Sequence, residues 1–365
     1  MLGLKSVGAL LSRLVRKQES DSAWGIEFTD RVVKGLRVRR IPATNHLCVD
    51  RFTYFARPQD AQEFSREQRD QETIQDIQLF SYQQCVSRKD QVAISIPGSD
   101  SLFRSFSLPP LRKSKIQDVV AYEAKHYIPF DLASVCWDYQ LMPGHVLQDD
   151  YVCEAEYSLV AATRNIVSSA YQKLAVANLT PRVVQIAPVS LYNFFMREYG
   201  KDLNQNETIV VISINSETTD LVIGDRKKLW LRTIPLGENH HWREFIKNGS
   251  QKVEEPPKEH TSAAAYDLLT EILRSLSYFK TMNREACVGK VYLVGKDLPQ
   301  MIGPIKKELQ VPFERITSYK EMVIDDGLKH DVHFLNHLPE LCGCYGLALQ
   351  ALELATIQAN LAFKE

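Results

Sequence analysis

Residues 95–141 read SIPGSDSLFRSFSLPPLRKSKIQDVVAYEAKHYIPFDLASVCWDYQL, and their hydrophobic period switches from strand to helix and back to strand. Just upstream, Val92, Ala93, Ile94 and Ile96 form an apolar run stopped by Pro97 and Gly98, which predicts a buried strand and its turn. Leu102, Arg104, Phe106 and Leu108 alternate with Phe103, Ser105 and Ser107, a second strand. Pro109 and Pro110 end it, because proline has no N–H to give the ladder. Ser114 and Gln117 have capping-box spacing, and Ile116, Val119, Val120, Ala124 and Tyr127 recur at helical intervals. Pro129 drives Ile128 out of helical geometry, and Val135, Trp137, Tyr139 and Leu141 alternate as a third strand.

Working outward, residues 102–186 read as one compact β-α-β-β-α-β unit, closed by a helix with Ile166, Val167, Ala170, Tyr171 and Leu174 and a strand over residues 182–186. That order suits a small α+β domain with helices on one face of a mainly antiparallel sheet. Upstream, residues 24–38 predict a hairpin turning at Thr29 and Asp30, residues 47–55 a strand, and Ile74, Ile77, Leu79 and Phe80 a helix after a polar stretch. Downstream, Pro188 starts a helix. Residues 209–214, 220–223 and 229–234 then open a second region with strands again, a faint internal duplication. A polar loop is expected over residues 247–262, followed by a long helix with Tyr266, Leu269, Ile272, Leu273, Leu276 and Phe279 on its apolar face. Strands over 291–294 and 311–316, a helix over 298–309 and an Ala/Leu-rich helix over 341–357 complete the chain.

A length of 365 residues gives room for two or three cores. The net charge of −1 provides no overall field for nucleic acid, so none is expected as a partner. Seven cysteines without framework spacing point to a reduced compartment. No apolar run is long enough to span a bilayer, and Lys5 and Arg13 interrupt anything like a secretory leader. Residues 1–20 read as a basic amphipathic extension, with Leu4, Val7, Leu11, Leu14 and Val15 on one side. It suits either peripheral contact with an anionic membrane or packing on the body. His240 and His241 read as solvated, and the remaining histidines have no HxxxH or HExxH spacing, so no metal site is expected. There is no GxSxG, Walker A or GxGxxG motif. The basic runs at Arg37, Arg39 and Arg40 and at Lys227 and Lys228 read as solvated faces.

The SIPGS strand end, the YEAKHYIPF helix and DLASVCWDYQ resemble the type IV pilus assembly proteins of the PilM kind, actin-like relatives of the division protein FtsA. Members carry an SVPGS-like strand end, a helix reading roughly WEAEQYIPF and then DEVVLDYQ. YGLALQAL near the end is similar to the family's closing GLALRG helix. The resemblance implies a two-lobed α/β, FtsA/PilM-type actin-like fold with an inserted α+β 1C (SHS2-like) subdomain. The implied plan is a first lobe (1A) over residues 21–98, completed by 187–207 and 341–365, the insertion over 99–186 and a second lobe (2A/2B) over 208–340.

An actin-like ATPase holds phosphates on two hairpin turns, usually beginning Asp-x-Gly, because backbone must approach the phosphate and a carboxylate must organise magnesium. Here the first turn reads Gly25-Ile26-Glu27-Phe28-Thr29-Asp30 against the family's GLDIGSS, with Lys34 where a lysine is common. The second reads Ser213-Ile214-Asn215-Ser216-Glu217-Thr218 against DIGASS, and the adenine turn reads Gly295-Lys296 against a Gly-Gly pair. A nucleotide site of Glu27, Thr29, Lys34, Ser213, Asn215, Thr218 and Gly295 is therefore expected in degenerate form. ATP and magnesium are expected to bind weakly or not at all, and no catalytic residue is assigned. The resemblance further implies a scaffold on the cytoplasmic face of the inner membrane. It would bind the N-terminal tail of a single-span PilN-like protein between 1A and 1C, contact the pilus motor ATPase, and use Tyr127, Ile128, Pro129 and Phe130 for the partner. Type II secretion and competence machines use related modules. An active actin-like ATPase and a polymer-forming cytoskeletal protein remain the alternatives at this stage.

Overall fold

The computed structural model describes residues 21–29, 31–42, 44, 46–57, 65–153, 155–204, 207–238 and 258–363. The extension expected over residues 1–20, and His240 and His241, lie outside the described residues. Strands β1 (Ser22–Phe28), β2 (Val32–Arg40) and β3 (Leu47–Ala56) form an antiparallel meander. Helix α1 (Arg66–Gln83) then leads to β4 (Gln91–Ile96), which pairs in parallel with β1. Ser65 starts α1 with a full capping box, its hydroxyl accepting the Gln68 N–H while the Gln68 side chain accepts the Ser65 N–H. The arginines of β2 are not a solvated face. Arg37 pairs with Asp50 and Asp90, both at 2.9 Å, and Arg39 with Asp50 at 2.7 Å.

The inserted unit contains β5 (Ser101–Leu108), β6 (Leu111–Arg112), α2 (Ile116–Tyr127), β7 (Val135–Leu141), β8 (Val146–Gln148), β9 (Tyr151–Cys153) and β10 (Ala155–Thr163). β10 lies between β5 and β7 in an antiparallel sheet, and β6, β9 and β8 form a small flap. Val120, Ala124 and Ile128 pack on Phe106, Tyr157 and Leu159 as its core. The Ser114–Gln117 capping box does not form. A 3-10 turn over Lys113–Lys115 runs straight into α2, which has no side-chain cap.

The strand expected to close this unit, β11 (Val183–Ile186), belongs elsewhere: it pairs in parallel with β4 and extends the first-lobe sheet. Helix α3 (Arg164–Ala175) likewise gives Val167, Ala170 and Leu174 to the first-lobe core. All four residues of β11 are buried although it is the edge strand, with β4 on one side and the Leu361 N–H reaching the Val184 carbonyl on the other.

The second lobe repeats the first. Strands β12 (Glu207–Ile214), β13 (Thr219–Gly224) and β14 (Leu229–Ile234) form an antiparallel meander, and β15 (Cys287–Gly295) and β16 (Phe313–Arg315) follow in parallel. Its order β14-β13-β12-β15-β16 matches β3-β2-β1-β4-β11, position for position. β17 (Val323–Ile324) adds to β3 at the far edge of the first sheet. Helix α5 (Lys258–Met282), which begins inside the expected loop, and α6 (Pro299–Leu309) cover the outer face of the second sheet. Tyr266, expected on the buried face of α5, is exposed.

Between the sheets lie α4 (Ala187–Glu198) and α9 (Cys342–Ala351), buried nearly all round. They follow or precede the short α7 (Asp326–Lys329) and α8 (Val332–His337) of the second half of the chain. Two glycines allow the close approach. A Cβ on Gly25 of β1 would lie 1.8 Å from the Cys344 carbonyl, and one on Gly346 would lie 1.8 Å from the Ser190 carbonyl. α9 is shorter than its composition suggests. It ends at Ala351, Glu353 takes φ +60°, and the Leu354 N–H turns back to the Leu349 carbonyl at 2.8 Å.

Candidate functional site

The duplicated sheets bring the β1–β2 turn, the β12–β13 turn and the end of β15 to one cleft of about 660 Å³. In register, Glu27 of β1 stands directly opposite Lys34 of β2. Cross-strand neighbours this close pair readily, and the carboxylate and ammonium meet at 2.8 Å with each side chain 13% exposed. Burial alone would lower the Lys34 pKa, but the Glu27 carboxylate reverses this and holds it above the ordinary lysine value. Lys34 also donates to the Glu340 carbonyl at 3.0 Å, and Ser95 Oγ lies 3.5 Å from Glu27 Oε1. On its other side Glu27 abuts Gly343, where a Cβ would come within 2.3 Å of Oε1. The one acid that replaces the family's aspartate is thus neutralised and walled in.

Thr29 closes the first turn on itself. Its Oγ accepts the N–H of Arg31 at 3.1 Å and of Val32 at 3.2 Å, and its own N–H donates to the Val32 carbonyl at 2.8 Å. Amides that a glycine turn would aim at phosphate are already used. In the second turn the Asn215 N–H donates to Thr218 O at 2.8 Å, and its carbonyl accepts from Glu238 N at 2.9 Å. Gly237 crosses directly over this turn, so close that a Cβ there would meet the Thr218 N at 2.5 Å. Ser213 is buried at the end of β12. Between the two turns, Arg31 and Glu217 form an ion pair at 3.1 Å that links one lobe to the other. Gly295 keeps the left-handed φ of +91° that favours glycine, while Lys296 beside it pairs with Glu238 at 3.0 Å.

One residue of this cleft escaped the sequence reading. Asp220 is buried beneath the second turn, accepting from Thr233 Oγ at 2.5 Å and from Asn215 Nδ2 at 3.2 Å. Burial pushes its pKa up to about 6, with nearby Glu27 adding to the effect and the Thr233 bond opposing it. A lone acid in the otherwise apolar run Leu221-Val222-Ile223 was the available signal. Among the described residues, no group of three or more His, Cys, Asp and Glu side chains converges as metal ligands would. At the phosphate end of the cleft the acid is paired with Lys34, amides of the first turn are capped by Thr29, and Arg31 and Glu217 bridge the gap.

The four residues proposed for partner contact do not form one surface. Ile128 is in the core of the inserted unit because the chain leaves α2 there in extended geometry, and Tyr127 stacks on Phe106 at 5.0 Å. Burial raises the Tyr127 pKa, with Glu123 and Tyr278 of the second lobe contributing. Pro129 and Phe130 are exposed, and none of the four lines the cleft. The cleft wall nearest the insertion comes instead from Ser99 and Asp100 after β4 and from Asn165, Ile166 and Ser169 at the start of α3.

The sequence model of the family described as type IV pilus assembly protein PilM matches residues 25–352. The chain belongs to that family. Its fold is the two-lobed actin-like fold, and it superposes on the solved PilM–PilN type IV pilus biogenesis complex with a TM-score of 0.73 at 19% identity, covering 90% of this chain and 98% of that one. Another solved structure, a Bacteroides thetaiotaomicron protein with an actin-like ATPase fold, is similar at a TM-score of 0.44 and 10% identity, over 82% of this chain and 92% of that one. No curated protein matches in sequence. Among the described residues no helix is long and apolar enough to cross a membrane.

Proposed function

We propose that this PilM family member is a scaffold of a type IV pilus assembly complex that does not hydrolyse ATP. It would work at the cytoplasmic face of the inner membrane and receive the N-terminal tail of a PilN-like single-span protein. The observation that carries this reading is the state of the two phosphate turns. Glu27 is held by Lys34, the Thr29 hydroxyl caps the first turn, and Arg31 bridges to Glu217 where phosphates would lie. Magnesium would need Glu27 free, and the terminal phosphate would need open amides.

Beside these quenched turns the cleft continues along Pro97, Ser99 and Asp100, which lead from β4 into the inserted unit, and along Asn165, Ile166 and Ser169 of α3, which leads out of it. That wall, rather than the stretch around Ile128, is the surface on which we place the partner tail. An extended tail adds main-chain and apolar contacts to a preformed groove. Contact with the motor ATPase, and with membrane through residues 1–20, belongs to the same proposal.

Calorimetry tests it directly. A synthetic peptide of the partner's N-terminal tail should bind in the micromolar range, and magnesium-ATP should give neither heat nor turnover. Turnover abolished by Glu27→Ala would establish the active ATPase instead, and a peptide that does not bind at about 100 μM would remove the scaffold reading.

A further inference from the structure

After α9 the chain does not leave the body. After a turn at Leu352 and Glu353 and a bend at Ala355 and Thr356, residues 357–361 run along the seam between the first-lobe sheet and the inserted unit, with Ile357, Ala359 and Leu361 buried in the first-lobe core. Three amide side chains, themselves 0–2% exposed, are devoted to this segment's backbone. Asn193 bonds both main-chain groups of Ile357, at 2.8 and 3.0 Å. Gln185 and Gln350 both donate to the Ala359 carbonyl, at 2.7 and 2.8 Å. Burying three amides is costly unless each is bonded, so the first lobe is built to hold this backbone. Leu361 N then reaches Val184 O of β11 at 2.8 Å, and Asn360 Oδ1 accepts the Val184 N–H at 2.9 Å.

The alternate main-chain amides face the other way. Gln358 N donates to Gln140 Oε1 at 2.8 Å and Asn360 N to Asp138 Oδ2 at 2.9 Å, both acceptors on β7, the edge strand of the inserted sheet. On its far side the inserted unit touches the second lobe at Gly144 against Lys227, and just before it Gly98 lies against Thr233. One extended segment thus joins the edge of the first-lobe sheet to the edge of the inserted sheet.

We propose that residues 353–363 are a strap that fixes the orientation of the inserted unit on the first lobe, and so the setting of the cleft-lining residues that lead into and out of it, Ser99, Asp100, Asn165 and Ile166. Its first-lobe side is permanent, set by buried apolar side chains and amides. On its insertion side, main-chain amides of the strap bond Asp138 and Gln140 of β7, beside Phe103, Cys136, Val160 and Ala162 of the inserted sheet, which share the core with Ile357 and Leu361. The strap is a conformational device independent of nucleotide. Only its effect on a partner tail rests on the scaffold reading above.

The test uses the full chain, spin-labelled at Cys85 on the first lobe and at Lys125→Cys on α2, with Cys153→Ser and Cys287→Ser. Both label sites are exposed. Pulsed electron resonance should give one narrow distance distribution. Asp138→Ala with Gln140→Ala should broaden it severalfold, while Asp138→Asn with Gln140→Glu, which keeps an acceptor at each place, should leave it narrow. An unchanged distribution in the double alanine variant overturns the proposal. Should that variant fail to fold, hydrogen exchange on the unsubstituted chain decides: the amides of Gln358 and Asn360 should exchange as slowly as that of Leu361, and free exchange at both overturns it. The tail peptide should bind the double alanine variant about tenfold more weakly. A broadened distribution together with an unsubstituted chain that binds no peptide would keep the strap and reject the scaffold reading.

Discussion

The cleft between the lobes and the seam beneath the inserted unit are both lined with buried polar groups, and they satisfy them in opposite ways. In the cleft, charges answer charges: Glu27 with Lys34, Arg31 with Glu217, Lys296 with Glu238. In the seam, neutral amides answer a main chain: Asn193, Gln185 and Gln350 with Ile357 and Ala359. A buried ion pair can be replaced only as a pair, whereas a buried amide that reads a peptide backbone leaves two unmatched groups when removed.

That contrast can be broken by substitution, starting where the effect is greatest. Asn193→Ala should cost about 2–5 kcal/mol, since both main-chain groups of Ile357 lose their partner in a dry site, and urea denaturation would measure it. Lys34→Met should cost about 2–4 kcal/mol by leaving Glu27 uncompensated, and adding Glu27→Gln should restore most of it, because the pair balances itself.

Asp220 works in the other direction. Burial holds its folded pKa at about 6, above the ordinary aspartate value of 3.8. Between these pH values the folded state binds the proton that the unfolded state has lost, so stability falls as pH rises from about 4 to about 6 and the loss is complete above it. Asp220→Asn should therefore raise stability by about 2 kcal/mol at pH 7.5 and leave it unchanged below pH 4, as thermal melts at both pH values would show. The smallest effect belongs to the lobe-to-lobe pair. Arg31→Gln should cost under about 1 kcal/mol, because both side chains keep some contact with water. A larger loss there would mean the lobes depend on that bridge more than on α4 and α9.

What the sequence made legible was whatever local pattern determines. Both hairpins, the parallel strands and the altered turns could be read, because each depends on alternation and on turn residues at fixed spacing. The failures share a cause in distant partners. The Ala/Leu-rich composition after Leu352 favours helix, yet buried Asn193, Gln185 and Gln350 capture the backbone in extended form. Strand Val183–Ile186 looked like the end of the inserted unit, and only its pairing with β4 assigns it to the first lobe. Arg37 and Arg39 looked solvated because Asp50 and Asp90 are distant in sequence or unmarked by any motif. At the site, the identity of the altered residues was visible. That Thr29 caps its own turn and that Gly237 covers the second one was not.

The contact between Gly25 and Cys344 joins the first strand of the fold to its last helix. A ribosome adding about 5–20 residues per second needs roughly 20–70 s to pass from one to the other. Throughout that interval the first sheet lacks the helix that covers its inner face, where Ala23, Gly25 and Ala93 lie. The insertion, by contrast, carries its own core and can fold as it emerges. This chain must therefore hold an open apolar sheet during most of its own synthesis, so its yield in a cell should track chaperone supply more closely than its final stability does.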